Sequence, residues 1–129
     1  MVSGSKAVHR TFSAEASAVP EARRFAIDAL RPCLDPAADL NGDVQLVVSE
    51  LATNAVLHAG GEFTVRLTCG GDVVRIAVAD SASEHPAPVE PDGSTAGGRG
   101  LRIVELLADR WGVEDRGAGK SVWAEFQLA

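Results

Sequence analysis

The chain is 129 residues long, 46% hydrophobic and 23% charged, with a formal net charge of −6. That length suits one domain with its own core, and that composition excludes disorder, collagen-like repeats and coiled coil. The acidic balance argues against non-specific nucleic-acid or anionic-membrane binding, both of which favour the opposite sign.

Met1 to Arg10 carries no apolar h-region, so no secretory signal is expected. No apolar run approaches the ~18 residues that span a bilayer. The expectation is a soluble cytoplasmic domain. Cys33 and Cys69 are far apart in sequence, form no CxxC pair and sit among apolar neighbours. They are expected to be buried, unreactive free thiols, with no disulfide framework and no zinc site.

Residues 8–13 alternate loosely and predict a first strand. Pro20 suits the first turn of a helix, where its missing N–H costs nothing. Phe25, Ile27, Ala29 and Leu30 continue that helix toward Leu34, and Pro32 and Pro36 mark its exit. A second helix is predicted from about Leu40 to Leu57, because Val44, Val47, Val48, Leu51 and Ala55 recur at helical spacing. Asp39 or Asn41 would cap it, and Gly60-Gly61 would end it. Glu62 to Cys69 and Val73 to Asp80 then read as a hairpin closed by Gly70-Gly71-Asp72. Residues 81–99 lose periodicity and carry three prolines and a glycine cluster, the character of a functional loop or lid. A helix is predicted directly behind Gly100, from Leu101 to Ala108. A last hairpin joins Trp111–Asp115 to Ser121–Leu128 across Arg116–Gly119. The order β-α-α-β-β-lid-α-β-β implies a single α+β domain over residues 1–129. Its form would be a two-layer sandwich: a mixed, mostly antiparallel sheet covered by helices on one face.

Four places on this frame carry chemistry. Glu50, Asn54 and His58 stand at i, i+4 and i+8, so they stack in one polar stripe beside the apolar one. A plain solvated face would more often use Lys, Glu, Gln or Arg. An Asn amide oxygen is a hard neutral ligand for Mg²⁺, which takes oxygen donors and shares its shell with phosphates and water. A Glu one turn earlier can accept a proton from a nucleophile attacking a terminal phosphoryl group, and His58 can donate to the lid or to a phosphate.

Asp80 ends a strand where the lid begins, placed to accept a hydrogen bond from an exocyclic amino group such as that of adenine. Its plainer role is to start a turn. Gly97-Gly98-Arg99-Gly100-Leu101 leads into a helix, where bare backbone and free N–H groups favour phosphate; Arg99 can add a charge there. No GxxxxGK[ST] pattern and no strand–GxGxxG–helix unit is present, which excludes a P-loop and disfavours a dinucleotide fold.

In this order the pieces resemble the GHKL ATPase superfamily, which groups gyrase, a heat-shock chaperone, histidine kinases and a mismatch-repair protein. Val48-Ser49-Glu50-Leu51-Ala52-Thr53-Asn54-Ala55-Val56-Leu57-His58 resembles its N-box, Asp80 its adenine-binding Asp, and Gly98-Arg99-Gly100-Leu101 its second glycine box. Gly119-Lys120-Ser121 resembles the final motif, with Ser121 in place of a hydroxyl supporting the Asp. The resemblance spans roughly residues 8–128 and is greatest to stand-alone anti-sigma-factor serine kinases. It implies a Bergerat-type sandwich that binds ATP and Mg²⁺, with Asn54 on the metal, Glu50 as general base, Asp80 on adenine, and Gly98 and Gly100 along the phosphates. It also implies a sigma factor and an anti-sigma-factor antagonist as partners, serine phosphorylation of the antagonist, and a homodimer.

One departure stands out: Asp80 is followed by Ser81-Ala82 where the family commonly has x-Gly, so that wall of the purine pocket must be shaped differently. Two alternatives remain. One is a non-catalytic ATP-binding switch, which would need Asn54 and Asp80 but not Glu50. The other is a histidine-kinase catalytic fragment, for which the chain lacks room for a phospho-accepting helical hairpin.

Overall fold

In the computed structural model, which describes residues 6–35, 37–58, 61–80, 96–115 and 119–128, the apolar alternation becomes a five-stranded sheet. Its strands are β1 (Lys6–Phe12), β2 (Phe63–Gly70), β3 (Val73–Asp80), β4 (Arg110–Asp115) and β5 (Lys120–Gln127). They lie in the order β1-β2-β3-β5-β4, antiparallel at every neighbouring pair. Alternate residues point to opposite faces of a strand, and one face is apolar. On it, Val65, Leu67, Val74, Ile76, Ala124 and Phe126 are all at most 1% exposed.

Three helices meet this face in one continuous core cluster. Helix α1 (Ala18–Leu30) contributes Ala18, Ala22, Ala26 and Leu30, four buried residues at i, i+4 spacing. Helix α2 (Asp39–His58) contributes Val44, Val48, Leu51 and Ala55, and helix α3 (Ala96–Leu107) contributes Val104. Helix α2 packs against both α1 and α3 and therefore lies between them. The opposite sheet face is open. There Arg75 lies over the Trp123 ring at 4.3 Å and bonds Glu125 at 2.9 Å.

The β2–β3 hairpin turns at Gly71-Asp72, with Gly71 at φ 61°, a conformation glycine adopts without a Cβ clash. Strand β1 starts two residues earlier than its sequence pattern suggests, and α1 stops at Leu30. Arg31 keeps helical angles (φ −52°, ψ −39°), but Pro32 has no N–H to continue the ladder, and the N–H groups of Cys33 and Leu34 close back onto the Leu30 carbonyl. Asn41 is inside α2 and buried rather than capping it. Helix α3 begins at Ala96, not behind Gly100, so the glycine cluster forms its first turns. Glycine's poor helix propensity is overridden by packing of Leu101, Val104, Leu107 and Ala108 on the core. Of the expected lid, residues 81–95 lie outside the described residues, and 96–99 belong to α3.

The cysteines overturn the expectation of free thiols. Cys33, in the connection from α1 to α2, is disulfide-bonded to Cys69 near the end of β2, with Cα atoms 6.4 Å apart. Sequence distance hid the pair because it is the sheet that brings β2 back beneath that connection.

The bond also fixes the direction of α2. Cys69 pairs with Val74, at the end of the sheet opposite Asp80, so α2 starts near that end. It finishes at His58, a few residues before Phe63, which pairs with Asp80. Helix α3 runs the other way, because Arg110, just beyond it, pairs with Glu125 and Glu125 with Arg75. Its twelve residues span about 18 Å, so its glycine-rich start returns to the Asp80 end.

A disulfide spanning 36 residues stabilises by about 4 kcal/mol through the unfolded chain. Cys33→Ser, or reduction, is expected to lower the melting temperature by on the order of 10 °C. Two titratable thiols in the unreduced, unfolded chain would refute the pairing.

Candidate functional site

Helix α2 has three faces with distinct neighbours. Val44, Val48, Leu51 and Ala55 point into the sheet. On one flank, the Ser49 hydroxyl accepts a 2.7 Å hydrogen bond from the Arg23 guanidinium of α1 and donates to the Gln45 carbonyl at 3.0 Å. Asn54 lies five residues after Ser49, about 140° around the helix. It shares the opposite flank, toward α3, with Glu50. The stripe read from the sequence is therefore a real surface of α2, at the seam between two helices.

Asn54 is 7% exposed, and its carboxamide has no hydrogen-bond partner among the described residues. No fully enclosed side-chain nitrogen or oxygen among those residues lacks a partner, so the amide group must emerge at the surface while its stem is buried. A polar tip held at the mouth of an apolar seam, with its bonding capacity unspent, is a poor structural choice and a good ligand-facing one. Glu50 and His58, both half-buried, likewise make no side-chain hydrogen bond to a described residue.

Across the seam lies the start of α3. The first four N–H groups of a helix have no intrahelical partner and carry its positive dipole end. In α3 these belong to Ala96, Gly97, Gly98 and Arg99, with Gly100 and Leu101 following. Leu101 is half-buried and packs on the core. Because α2 and α3 are antiparallel neighbours, this turn lies beside the C-terminal half of α2, which holds Glu50, Asn54 and His58. Below them is the end of the sheet, where Asp80 closes β3.

One register finding corrects the sequence reading. Asp80 pairs with Lys120 across β3–β5, whereas Ser121 pairs with Ala79 and Glu114. Ser121 is 2% exposed, but it shares the open face with Trp123 and Glu125, away from the helices. Its hydroxyl is thus not the cross-strand neighbour of the Asp80 carboxylate. The cross-strand neighbour of Asp80 is Lys120, one position earlier. The cue was strand alternation counted back from the buried Phe126, Ala124 and Val122.

Among the described residues no group of three or more His, Cys, Asp and Glu could cage a metal. Mg²⁺ does not require one, since it keeps waters and is commonly completed by phosphate oxygens. The Asn54 amide, without a partner among the described residues, fits such a shared site. A cleft of about 510 Å³ lies elsewhere, between β1 and α1. Its Arg10 is stacked on Phe12 and its Asp28 is bonded to Arg31, so two of its charged groups already have partners.

Comparison with known proteins agrees with the fold. A family model described as histidine kinase-like ATPase domain matches residues 12–126. Among solved structures, the chain is similar to the RsbU and RsbW domains of Rv1364c from Mycobacterium tuberculosis, with a TM-score of 0.69 at 22% identity. The match covers 95% of this chain and 32% of that one. No curated protein matches the sequence.

Asn54→Leu fills the same space without a polar tip. It is expected to melt within a few degrees of the parent, or higher. Leu51→Ala, three residues away in the core, is expected to lose about 3 kcal/mol. Chemical denaturation of the two variants side by side checks the contrast.

Proposed function

This chain belongs to the histidine kinase-like ATPase domain family, and from that premise we propose that it binds Mg-ATP at the Asp80 end of the sandwich and phosphorylates a serine or threonine of a partner protein. The observation that carries this reading is Asn54: buried in stem, without a partner for its tip among the described residues, one turn beyond Glu50 and beside the first turn of α3.

Each residue has a distinct task. Asp80 accepts a hydrogen bond from the amino group of adenine, which sets the base against the end of the sheet. Gly98 and Gly100 let the phosphates approach the backbone of α3, whose free N–H groups and positive end favour anions. Arg99 adds charge to that turn, and His58, at the end of α2, donates to the phosphates. Asn54 supplies a neutral oxygen to the metal. When bound, Mg²⁺ neutralises charge on the phosphates. Glu50, one helical turn earlier on the same flank, takes the proton from the attacking hydroxyl as the hydroxyl oxygen bonds to the terminal phosphorus, the bond from that phosphorus to the β–γ bridging oxygen breaks, and ADP leaves with the electron pair. Glu50 favours a kinase over a pure ATP-binding switch, which needs Asn54 and Asp80 but no base.

The biological setting proposed is partner switching: an anti-sigma factor that binds a sigma factor and phosphorylates its antagonist, working in the cytoplasm as a homodimer. The structural likeness to a chain containing an RsbW domain supports the fold on which this rests. Among the described residues no helix is long and apolar enough to cross a membrane.

Saturating Mg-ATP, at ~100 times its dissociation constant, adds about 2.7 kcal/mol of stability. The melting temperature should rise by several degrees, and Asn54→Leu should abolish the magnesium-dependent part of that rise. No shift in the parent at millimolar Mg-ATP would overturn the reading. Glu50→Gln is expected to keep the shift and lose at least ~100-fold in phosphotransfer to a protein substrate; full activity in that variant would remove Glu50 from the base role.

A further inference from the structure

Strand β1 ends the sheet on one side and β4 on the other. An edge strand turns alternate N–H and C=O groups outward, where another chain can pair with them unless charge blocks the approach. Strand β1 carries Lys6 and Arg10 and no acid, so a second β1 laid against it offers no opposite charge. Strand β4 reads Arg110-Trp111-Gly112-Val113-Glu114-Asp115, with a base near one end and acids at the other. Its Val113 is 53% exposed, and among the described residues it is the only exposed large apolar side chain that lies in a strand. We propose that β4 is a self-association edge, pairing antiparallel with β4 of a second copy of this chain about a two-fold axis through Gly112.

A two-fold interface sets the same patch against itself, so that patch must be self-complementary. The axis stands perpendicular to the sheet and keeps both helix layers on one side, so opposed residues come from the same face of the strand. With Gly112 set against Gly112 of the second copy, Trp111 meets Val113 and Arg110 meets Glu114, and each of these pairs occurs twice. Arg110 and Glu114 share the open face with Glu125 and Ser121, and Trp111 and Val113 share the helix-bearing face with Ala124 and Val122. Opposite charges thus face each other on one side of the seam, and an aromatic faces a β-branched residue on the other. Such cross-strand pairs are the units that stabilise a sheet. The neighbouring registers lose the match: one sets Trp111 against Asp115, the other sets Arg110 against Gly112.

The charged groups are within reach of a second copy. The Arg110 side chain is 77% exposed and that of Glu114 53%. Their contacts inside the chain, to Glu125 at 4.0 Å and to Arg75 at 3.7 Å, are longer than a hydrogen bond, whereas Arg75 holds Glu125 at 2.9 Å. At the centre of the strand a Cβ on Gly112 would lie 2.9 Å from the Trp123 ring. The indole therefore covers this glycine on the open face, and the second backbone meets a position bare of any side chain. Pairing would join two five-stranded sheets into one of ten, with the Asp80 ends of the two copies pointing in opposite directions along the strands. Each proposed ATP site then stays open to its own partner protein. The inference rests on the homodimer in the proposed function and supplies its interface; it uses no residue of the ATP site.

Sedimentation equilibrium of the parent chain, from low micromolar to near-millimolar, is expected to show a reversible dimer, since a short edge makes a small interface. Arg110→Glu and Glu114→Arg each set like charges against each other at two places, and each should weaken the dimer at least ~10-fold. Mixed together, the two variants should form a heterodimer of about parental strength, because every acid again faces a base across the seam. The double variant in one chain should self-associate for the same reason. Damage done through Arg75 or Glu125 within one chain would not be repaired by mixing. Val113→Lys, at an exposed position, should also weaken the dimer at least ~10-fold while keeping the parent's circular dichroism, and it carries the test if a charge variant fails to fold. A dimer equally strong in all three variants would overturn this inference and leave the homodimer standing on another surface. Mixing that restores nothing would overturn the register. A parent that stays monomeric at near-millimolar concentration would overturn both the seam and the homodimer, whatever its affinity for ATP.

Discussion

Burial of one stripe of α2 governs the rest of the molecule. Val44, Val48, Leu51 and Ala55 enter the sheet and leave almost no surface to water. Each large apolar side chain contributes about 1.5–3 kcal/mol on burial. Holding the Asn54 stem in the core while its amide still reaches the surface costs less than the about 1–3 kcal/mol of a fully buried, unsatisfied amide, so four core residues outweigh it. Packing thereby fixes the roll of the helix, and the roll carries Asn54 to the seam with α3 whether or not that suits stability. The site is a by-product of the core in geometry and, in residue choice, an exception to it.

The other half of the site is set by strand register. In an antiparallel sheet a one-residue slip moves every side chain to the other face. Phe63, Val65 and Leu67 on β2, Val74, Ile76 and Val78 on β3, and Val122, Ala124 and Phe126 on β5 pin that register firmly. Asp80 is consequently held level with Phe63 and Lys120, and Ser121 is sent to the open face. Paired on both sides, by Phe63 and by Lys120, the backbone at Asp80 is held in place to the end of its strand.

The disulfide belongs to a different part of the logic. It joins the lead into α2 with the far end of β2 and lies at the opposite end of the sheet from Asp80. Its loop encloses all of α2, so it restrains the segment that bears Glu50 and Asn54 without touching either. Stability and chemistry are thus separated along the length of the sheet. The glycine-rich start of α3 is treated the same way: its helical conformation is secured further along, by Leu101, Val104 and Leu107 in the core.

Much of this was legible in the chain. Helical spacing identified α2 and its polar stripe, and alternation with a glycine turn identified the β2–β3 hairpin. The N-box wording of Val48–His58 pointed to the family that residues 12–126 match. These signals are local, because periodicity within one element reports which of its faces is apolar. What sequence alone missed depends on two elements meeting: the bond between Cys33 and Cys69, the start of α3 at Ala96, and the pairing of Asp80 with Lys120. Each is settled by side-chain burial shared between segments tens of residues apart, a free energy that belongs to the assembled core and to no single stretch of chain.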